Sequence, residues 1–470
     1  MPSINKKQPK AIAAARRNSL ETHGGAPAAY INAEAQLRRS VMSCMLWEGE
    51  FYENGEAIAD RISKHAAHVK PAVLAKIADE CRNVAHMRHV PLWLVVTLLK
   101  TGQGERGLIV DTIQKVIQRA DEPGELLALY QKVNGKDAPL SNPLKIGLAK
   151  ALQKFDAYQM SKYKGQPGKT EVRLRDVLFL THAKPGAGQH ESLFKALAED
   201  TLATSDTWET ELSAGADKRE TFERLIRENR LGYLALLRNL RNMDQAGCDA
   251  ALIKGAIRAR RGADRVLPFR FIAAANHAPQ FADDLDFALA KTVEGMPKLP
   301  GKTLVLVDVS GSMRRALSAK SDLTRMDAAA TLASVIPCED LVVCSFSTKL
   351  ARVQMENMIN HVMMPPRGLR GINAIVTSQG HSSTALFEAV TLAAKTFEYD
   401  RMIIITDEQA TYEYQHGLED RFPDPKGKGY MINVASAKNG VGYGKWVHLD
   451  GFSENVLRWI AAKEQSDGAE

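Results

Sequence analysis

Residues 304–313 read Leu-Val-Leu-Val-Asp-Val-Ser-Gly-Ser-Met, and within them Asp308, Ser310 and Ser312 set one carboxylate and two hydroxyls at alternate positions. All three are hard oxygen donors. The four apolar residues before Asp308 make a short buried strand, and Gly311 lets the chain turn sharply after it, so the three oxygens can converge at the strand's carboxyl end, where open α/β sheets collect their ligands. A donor set of oxygens alone suits Mg2+ or Mn2+; zinc would call for Cys or His. Further donors must then come from later loops at the same edge. The polar stretch Gly380-His-Ser-Ser-Thr384 runs into an apolar helical pattern and offers Thr384, with Ser382 and Ser383 near enough in sequence to stand as alternatives. Residues 402–407, Met-Ile-Ile-Ile-Thr-Asp, repeat the first pattern and end on Asp407. Taken singly, a strand ending on Asp or Thr is a turn or helix cap; taken in this order, the three loops form one site. No nucleophile pair or glycine-rich phosphate loop accompanies them, and His381 reads as a solvated loop residue rather than a general base. The site is expected to bind rather than to catalyse, so the chain is not read as an enzyme.

Positioning such a site requires a sheet. Apolar runs at 303–307, 341–346, 402–405 and 430–435 alternate with helical patterns at 325–336, 384–397 and 454–462, which implies a doubly wound, mainly parallel α/β sheet covered on both faces over residues 301–470. The Asp-x-Ser-x-Ser spacing in this strand-loop context resembles the metal-ion-dependent adhesion site of von Willebrand factor A domains. That resemblance implies Asp308, Ser310, Ser312, Thr384 and Asp407 as the ligands of one divalent ion, with an acidic group from outside completing its coordination.

A chain of 470 residues is too long for one core. It has no apolar run of about 18 residues and no signal-peptide core, so neither a membrane span nor export is expected. The five cysteines (44, 81, 248, 338 and 344) have no metal-binding spacing and read as reduced thiols of a cytoplasmic protein. Charge is uneven. Residues 301–470 carry 18 Lys and Arg against 20 Asp and Glu, leaving 44 against 35 for residues 1–300. A basic excess confined to one region is the electrostatic footprint of a nucleic-acid surface when it is clustered.

Residues 1–30 form a basic tail rich in Ala, Pro and Gly and are expected to be disordered. Residues 31–300 are helical in pattern, with periodic stretches at 73–84, 91–99, 108–119, 143–155, 172–179, 219–228 and 232–243, and read as a stack of helical repeats without an exact period. Two basic clusters stand out. Ser161-Lys-Tyr-Lys-Gly-Gln-Pro-Gly-Lys169 reads as a loop with one stacking platform, Tyr163, followed by Arg173 and His182; Lys254, Arg258, Arg261 and Arg265 fall at helical spacing. Each cluster alone is a solvated face; the pair, in the region holding all the excess charge, points to RNA or DNA.

The segments beginning at Asn142 (Asn-Pro-Leu-Lys-Ile-Gly-Leu-Ala-Lys-Ala-Leu), Val172 (Val-Arg-Leu-Arg-Asp-Val-Leu-Phe-Leu-Thr-His-Ala-Lys-Pro) and Tyr233 (Tyr-Leu-Ala-Leu-Leu-Arg-Asn-Leu-Arg-Asn-Met), with Ala35-Gln-Leu-Arg-Arg-Ser-Val-Met at the start, resemble the TROVE module of the Ro 60 kDa ribonucleoprotein family. A von Willebrand A domain after that module is the Ro architecture, here of a bacterial or phage member. The resemblance implies a HEAT-like helical ring closed by the A domain. It further implies binding of small noncoding Y-like RNA and of single-stranded ends of misfolded RNA, with an exoribonuclease engaged through the RNA. Lys162, Lys164 and His182 match positions where the family contacts RNA, with Lys169 and Arg173 beside them; Lys254, Arg258 and Arg261 are added from the charge pattern. A protein-adhesion adaptor that uses the metal site without RNA is the competing reading.

Overall fold

The computed structural model describes residues 20–21, 27–28, 33–41, 55–85, 87–101, 105–166, 170–186, 189–203, 206–266, 268–296, 298–317, 323–357, 360–408, 422–435, 444–451 and 455–467. They fall into two compact units, one formed by residues up to 58 with 289–457, the other by 59–288 with 458–470.

The first unit is built on a six-stranded sheet of β1 (Leu299–Asp308), β2 (Cys338–Phe346), β3 (Leu350–Val353), β4 (Arg401–Thr406), β5 (Lys428–Asn433) and β6 (Trp446–Asp450), in the order β6-β5-β4-β1-β2-β3. All neighbours are parallel except β2 and β3. Leu304 to Val307 and Met402 to Ile405 are almost wholly buried, which is why both strands read as unbroken apolar runs rather than alternating ones. Burying each such side chain contributes about 1.5–3 kcal/mol. On one face Leu304, Leu306, Met402 and Ile404 pack with Leu386, Ala389, Val390 and Ala393 of the helix Leu386–Thr396. The helix Arg325–Val335 also packs on β1 and is buried on nearly every side; its four alanines let it sit that close.

The expected division at residue 300 differs from the structure at both ends of the chain. The helix Ala33–Val41, expected to open the helical region, belongs to the sheet's unit and packs on β6, because Leu37 and Val41 are buried and the Arg39 guanidinium reaches Asp450. Residues after 458 group with the helices, where Arg458 donates to the carbonyl of Asp264 at 3.3 Å. In the 1–30 tail Leu20–Glu21 pairs with Pro27–Ala28 in a two-residue ladder.

The second unit is helical throughout its described residues, as the periodicity indicates. Helices also form outside the stretches named above, at Gly55–Ala66, Glu122–Asn134, Gln189–Ala198, Pro268–His277 and Ala282–Glu294. Glycines set the close approaches. A Cβ on Gly124 would lie 2.6 Å from the backbone oxygen of Val172. Gly124→Ala should gain about 1 kcal/mol of helix propensity yet lose about 1–3 kcal/mol to overpacking against a carbonyl that cannot rotate away. Net destabilisation in equilibrium denaturation is therefore expected; a stabilised variant would mean that the contact relaxes. Among the described residues no helix is long and apolar enough to cross a membrane, and Cys81, Cys248, Cys338 and Cys344 are buried free thiols.

Candidate metal centre and nucleic-acid interface

Parallel pairing of β1 with β4, Val307 opposite Ile405, delivers Asp308 and Asp407 to the same end of adjacent strands. Both are fully buried. The Ser310 amide donates to Asp308 Oδ1 at 2.9 Å and the Thr406 hydroxyl donates to Oδ2 at 2.7 Å, so the carboxylate is held at both oxygens. A turn of 3-10 helix, Gly311–Arg314, comes next and places the Ser310 and Ser312 hydroxyls 3.3 Å apart. The Gly311 amide donates to the carbonyl of Ser382 at 2.9 Å, and a Cβ at 311 would crowd that oxygen at 3.2 Å. The loop of residues 380–384 is thus drawn against the first, with Thr384 two residues beyond Ser382 and 5% exposed.

Sequence reasoning missed the residues that hold these loops. Ser347, just past β2, donates through its hydroxyl to the carbonyl of Ser383 and accepts from the Ser382 amide, while its carbonyl accepts from Ala385. His381 sits with Nδ1 2.8 Å from the Val309 carbonyl, so that nitrogen donates and ties down a loop. Arg325 places Nη1 3.4 Å from Asp407 Oδ2, both side chains buried. An Arg that opens an apolar helix after Thr324 gives no sequence sign of a partner 82 residues away.

Burial, and then the charge of Asp407, push the Asp308 carboxyl up to about 7. Two buried carboxylates beside hydroxyl donors, balanced in part by one guanidinium, form a hard, electron-rich set. That set could hold Mg2+ or Mn2+ through Asp308, Ser310, Ser312, Thr384 and Asp407, and the ion would relieve the like-charge repulsion.

Glu408 extends the site inward. It adopts a left-handed backbone (φ 55°), and its amide donates to the same Thr406 hydroxyl that bonds Asp308. Its carboxylate lies 3.4 Å from Arg39 Nη2, 3.3 Å from Asn433 Nδ2 and 3.2 Å from His448 Nδ1, and Asp450 accepts from Arg39 Nε at 3.0 Å. The acid pair Asp407-Glu408 therefore divides, one carboxylate at the carboxyl edge of the sheet and the other on a buried arginine.

In the helical unit the expected basic loop begins later than its composition suggests. Asp156 caps a helix Ala157–Tyr163 by accepting from the Gln159 amide at 2.8 Å, so Lys162 lies on that helix and Lys164 just past its end. Lys162 Nζ is 5.7 Å from the Tyr158 ring centroid and 5.8 Å from that of Tyr163, and the Arg119 guanidinium stands 4.7 Å over Tyr163. Tyr158 is 52% exposed. On the helix Leu174–Thr181 the Arg175 guanidinium lies 5.5 Å over Phe179, also 52% exposed. His182, exposed and left-handed (φ 52°), ends that helix and with Phe179, Glu191, Phe194 and Lys195 lines a shallow cavity of about 370 Å3.

Other residues expected to meet RNA have partners within the helical unit. Lys164 donates to the Leu202 carbonyl at 2.9 Å, and Arg173 pairs with Asp200 at 3.1 Å while capping its helix through Asp176. Arg258 pairs with Asp284 and stacks on Phe287. Lys254 and Arg261 are exposed, but the helix Ala250–Ala259 stops before Arg261, and Arg260 (φ 52°) turns the chain off the face that helical spacing implied. Lys169 lies outside the described residues. The i, i+4 interleaving of Tyr158 with Lys162 and of Arg175 with Phe179 is the sequence signal for the exposed ring-and-cation pairs.

Residues 198–284 match the TROVE domain family. The fold is similar to the crystal structure of the RO (RSR) protein of Deinococcus radiodurans, with 16% sequence identity, a TM-score of 0.58, and coverage of 91% of this chain and 100% of that one. No curated relative matches the chain.

Proposed function

We propose that this chain, in which residues 198–284 match the TROVE domain family and whose fold is similar to that of a Ro protein, is an RNA-binding scaffold of the Ro type that takes small structured noncoding RNA of the Y-like kind, and the single-stranded ends of misfolded RNA, in RNA quality control. The observation that carries this reading is the set of rings each attended by a cation, two of them exposed: Tyr158, exposed, and Tyr163, half-buried, with Lys162, and Phe179, exposed, with Arg175. A ring offers a stacking surface that any base can use, and the cation beside it meets the phosphate. A metal centre whose residues serve a single ion favours a scaffold over a nuclease, whose chemistry commonly uses two cations; an exoribonuclease would be engaged through the bound RNA, in the cytoplasm. When bound at Asp308, Ser310, Ser312, Thr384 and Asp407, Mg2+ or Mn2+ would supply an open coordination position for a partner's carboxylate. The chain's own part there is to keep Asp308 and Asp407 buried and aligned.

Lys162, His182 and Phe179 changed together to Ala should weaken binding of a small structured RNA by more than about tenfold, since each stacked base alone is worth about 1–3 kcal/mol. The salt dependence should flatten by about one counterion for each phosphate that no longer meets a cation. Arg173→Ala, by contrast, keeps the backbone amide that donates to Asp176 and should reduce stability through the lost Asp200 pair more than it reduces affinity. Fluorescence anisotropy at two salt concentrations reads the affinities, and equilibrium denaturation reads the stability. Unchanged affinity in the triple variant would remove this surface from the RNA site, and absence of binding by the wild-type protein would remove the function.

A further inference from the structure

Many arginines of the helical unit have a carboxylate: Arg82 pairs with Glu122, Arg88 with Asp121 and Glu125, Arg173 with Asp200, Arg224 with Asp206 and Arg258 with Asp284. Three that share a cavity do not. Arg238 and Arg241 on the helix Tyr233–Gln245, and Arg270 on the helix Pro268–His277 packed against it, line one cavity of about 260 Å3 together with Asn242 and His277, over a floor that includes Leu237. No Asp or Glu lies in the lining, and none of the three guanidinium groups has a carboxylate within 4.0 Å among the described residues. The charge of Arg238 adds to desolvation in holding Arg270 below its ordinary range. Like charges gathered around a cavity without an internal counterion repel, and the arrangement is favourable only when an anion enters.

We propose that Arg238, Arg241 and Arg270 form a phosphate pocket that receives one phosphate group of an RNA chain. Guanidinium forks from two helices suit the several oxygens of a tetrahedral phosphate better than the two of a carboxylate, and the cavity has room for the attached sugar. The pocket lies wholly within residues 198–284, where the chain matches the TROVE domain, and apart from Lys162, Tyr158 and Phe179 in sequence and in helix. Naming RNA as the carrier of the phosphate rests on the function proposed above; the pocket's taste for phosphate does not. The phosphate is either a 5′-terminal group or one within the chain.

The test uses the full-length protein, wild type and Arg238→Gln/Arg241→Gln/Arg270→Gln, with three probes: inorganic pyrophosphate by calorimetry, and a ten-residue oligouridylate with either a 5′-phosphate or a 5′-hydroxyl by anisotropy. The triple variant is expected to lose more than about tenfold in affinity for pyrophosphate and for the oligonucleotide, with a shallower salt dependence. A preference of the wild type for the 5′-phosphate that vanishes in the variant assigns a terminal group; equal losses for both oligonucleotides assign an in-chain phosphate. Binding of pyrophosphate but not RNA by the wild type, with pyrophosphate lost in the variant, upholds the pocket and defeats the RNA reading. Equal binding of all three probes by both proteins overturns the pocket. Should the triple variant not fold, Arg241→Gln alone, on an exposed side chain, should weaken pyrophosphate by about fivefold, and no change there overturns it equally.

Discussion

Asp308→Ala is expected to abolish binding of Mg2+ or Mn2+ and to leave RNA affinity within about twofold, because the two sites share no residue or partner and lie on different units. Asp308 is one of two carboxylates in the site, and the remaining proposed ligands are hydroxyls, which hold a divalent ion weakly. Its geometry is fixed in advance by the Ser310 amide and the Thr406 hydroxyl, so no neighbouring side chain can replace it. Asp407, left alone, is paired with Arg325, which competes with any cation for the same oxygen. Calorimetric titration of both metals into wild type and variant reads the first effect, and an RNA shift assay reads the second. Equal metal binding by the two proteins would defeat the ligand set, whereas RNA binding lost with the metal would defeat the separation of roles.

Arg39→Ala should destabilise the protein more than Gly124→Ala or Arg173→Ala. The guanidinium is fully buried between Glu408 and Asp450, both themselves fully buried, and its removal leaves two carboxylates in a low-dielectric interior with His448 and Asn433 beside Glu408. Breaking a buried pair by deleting one partner costs about 3–5 kcal/mol. Arg39→Met keeps the stem's packing and removes the charge, so a similar loss in that variant would assign the effect to the ion pairs rather than to a cavity. Because Glu408 comes directly after Asp407 and shares the Thr406 hydroxyl with Asp308, both variants should weaken metal binding as well. Equilibrium denaturation of the full chain, with metal titration of the folded protein, checks both statements; a loss below about 1 kcal/mol would place these charges in a better-solvated setting than their burial indicates.

The parts legible in the sequence are those whose signal is local. An unbroken apolar run ending in Asp308-x-Ser310-x-Ser312 can be read without a partner, and so can the second run that ends in Asp407, because a strand buried on both faces states its burial in its own residues. Edge strands β3 and β6 escape such a reading because one is four residues long and the other, Trp446-Val-His-Leu-Asp, occupies five with a histidine in the middle. The helix Ala157–Tyr163 merges in the sequence with the loop behind it because Lys and Gly dominate residues 162–169, while its actual determinant is the single cap Asp156. A count of charges likewise does not reveal that Lys164, Arg173 and Arg258 have partners 38, 27 and 26 residues away. Arg39 lies 411 residues from Asp450, and no local pattern announces a contact of that range. Arg238, Arg241 and Arg270 present the opposite case, since what marks them is the lack of a carboxylate partner among the described residues, which only the fold can show.

The most direct test of the RNA-scaffold reading is to purify the native full-length protein under mild salt and identify what comes with it. A discrete small structured RNA, protected from nuclease by the wild type and missing from the Lys162/Phe179/His182 alanine variant, is the expected result. Protein free of RNA that instead retains an acidic protein partner, released by chelation of divalent metal and by Asp308→Ala, would contradict it and establish the adhesion role in its place.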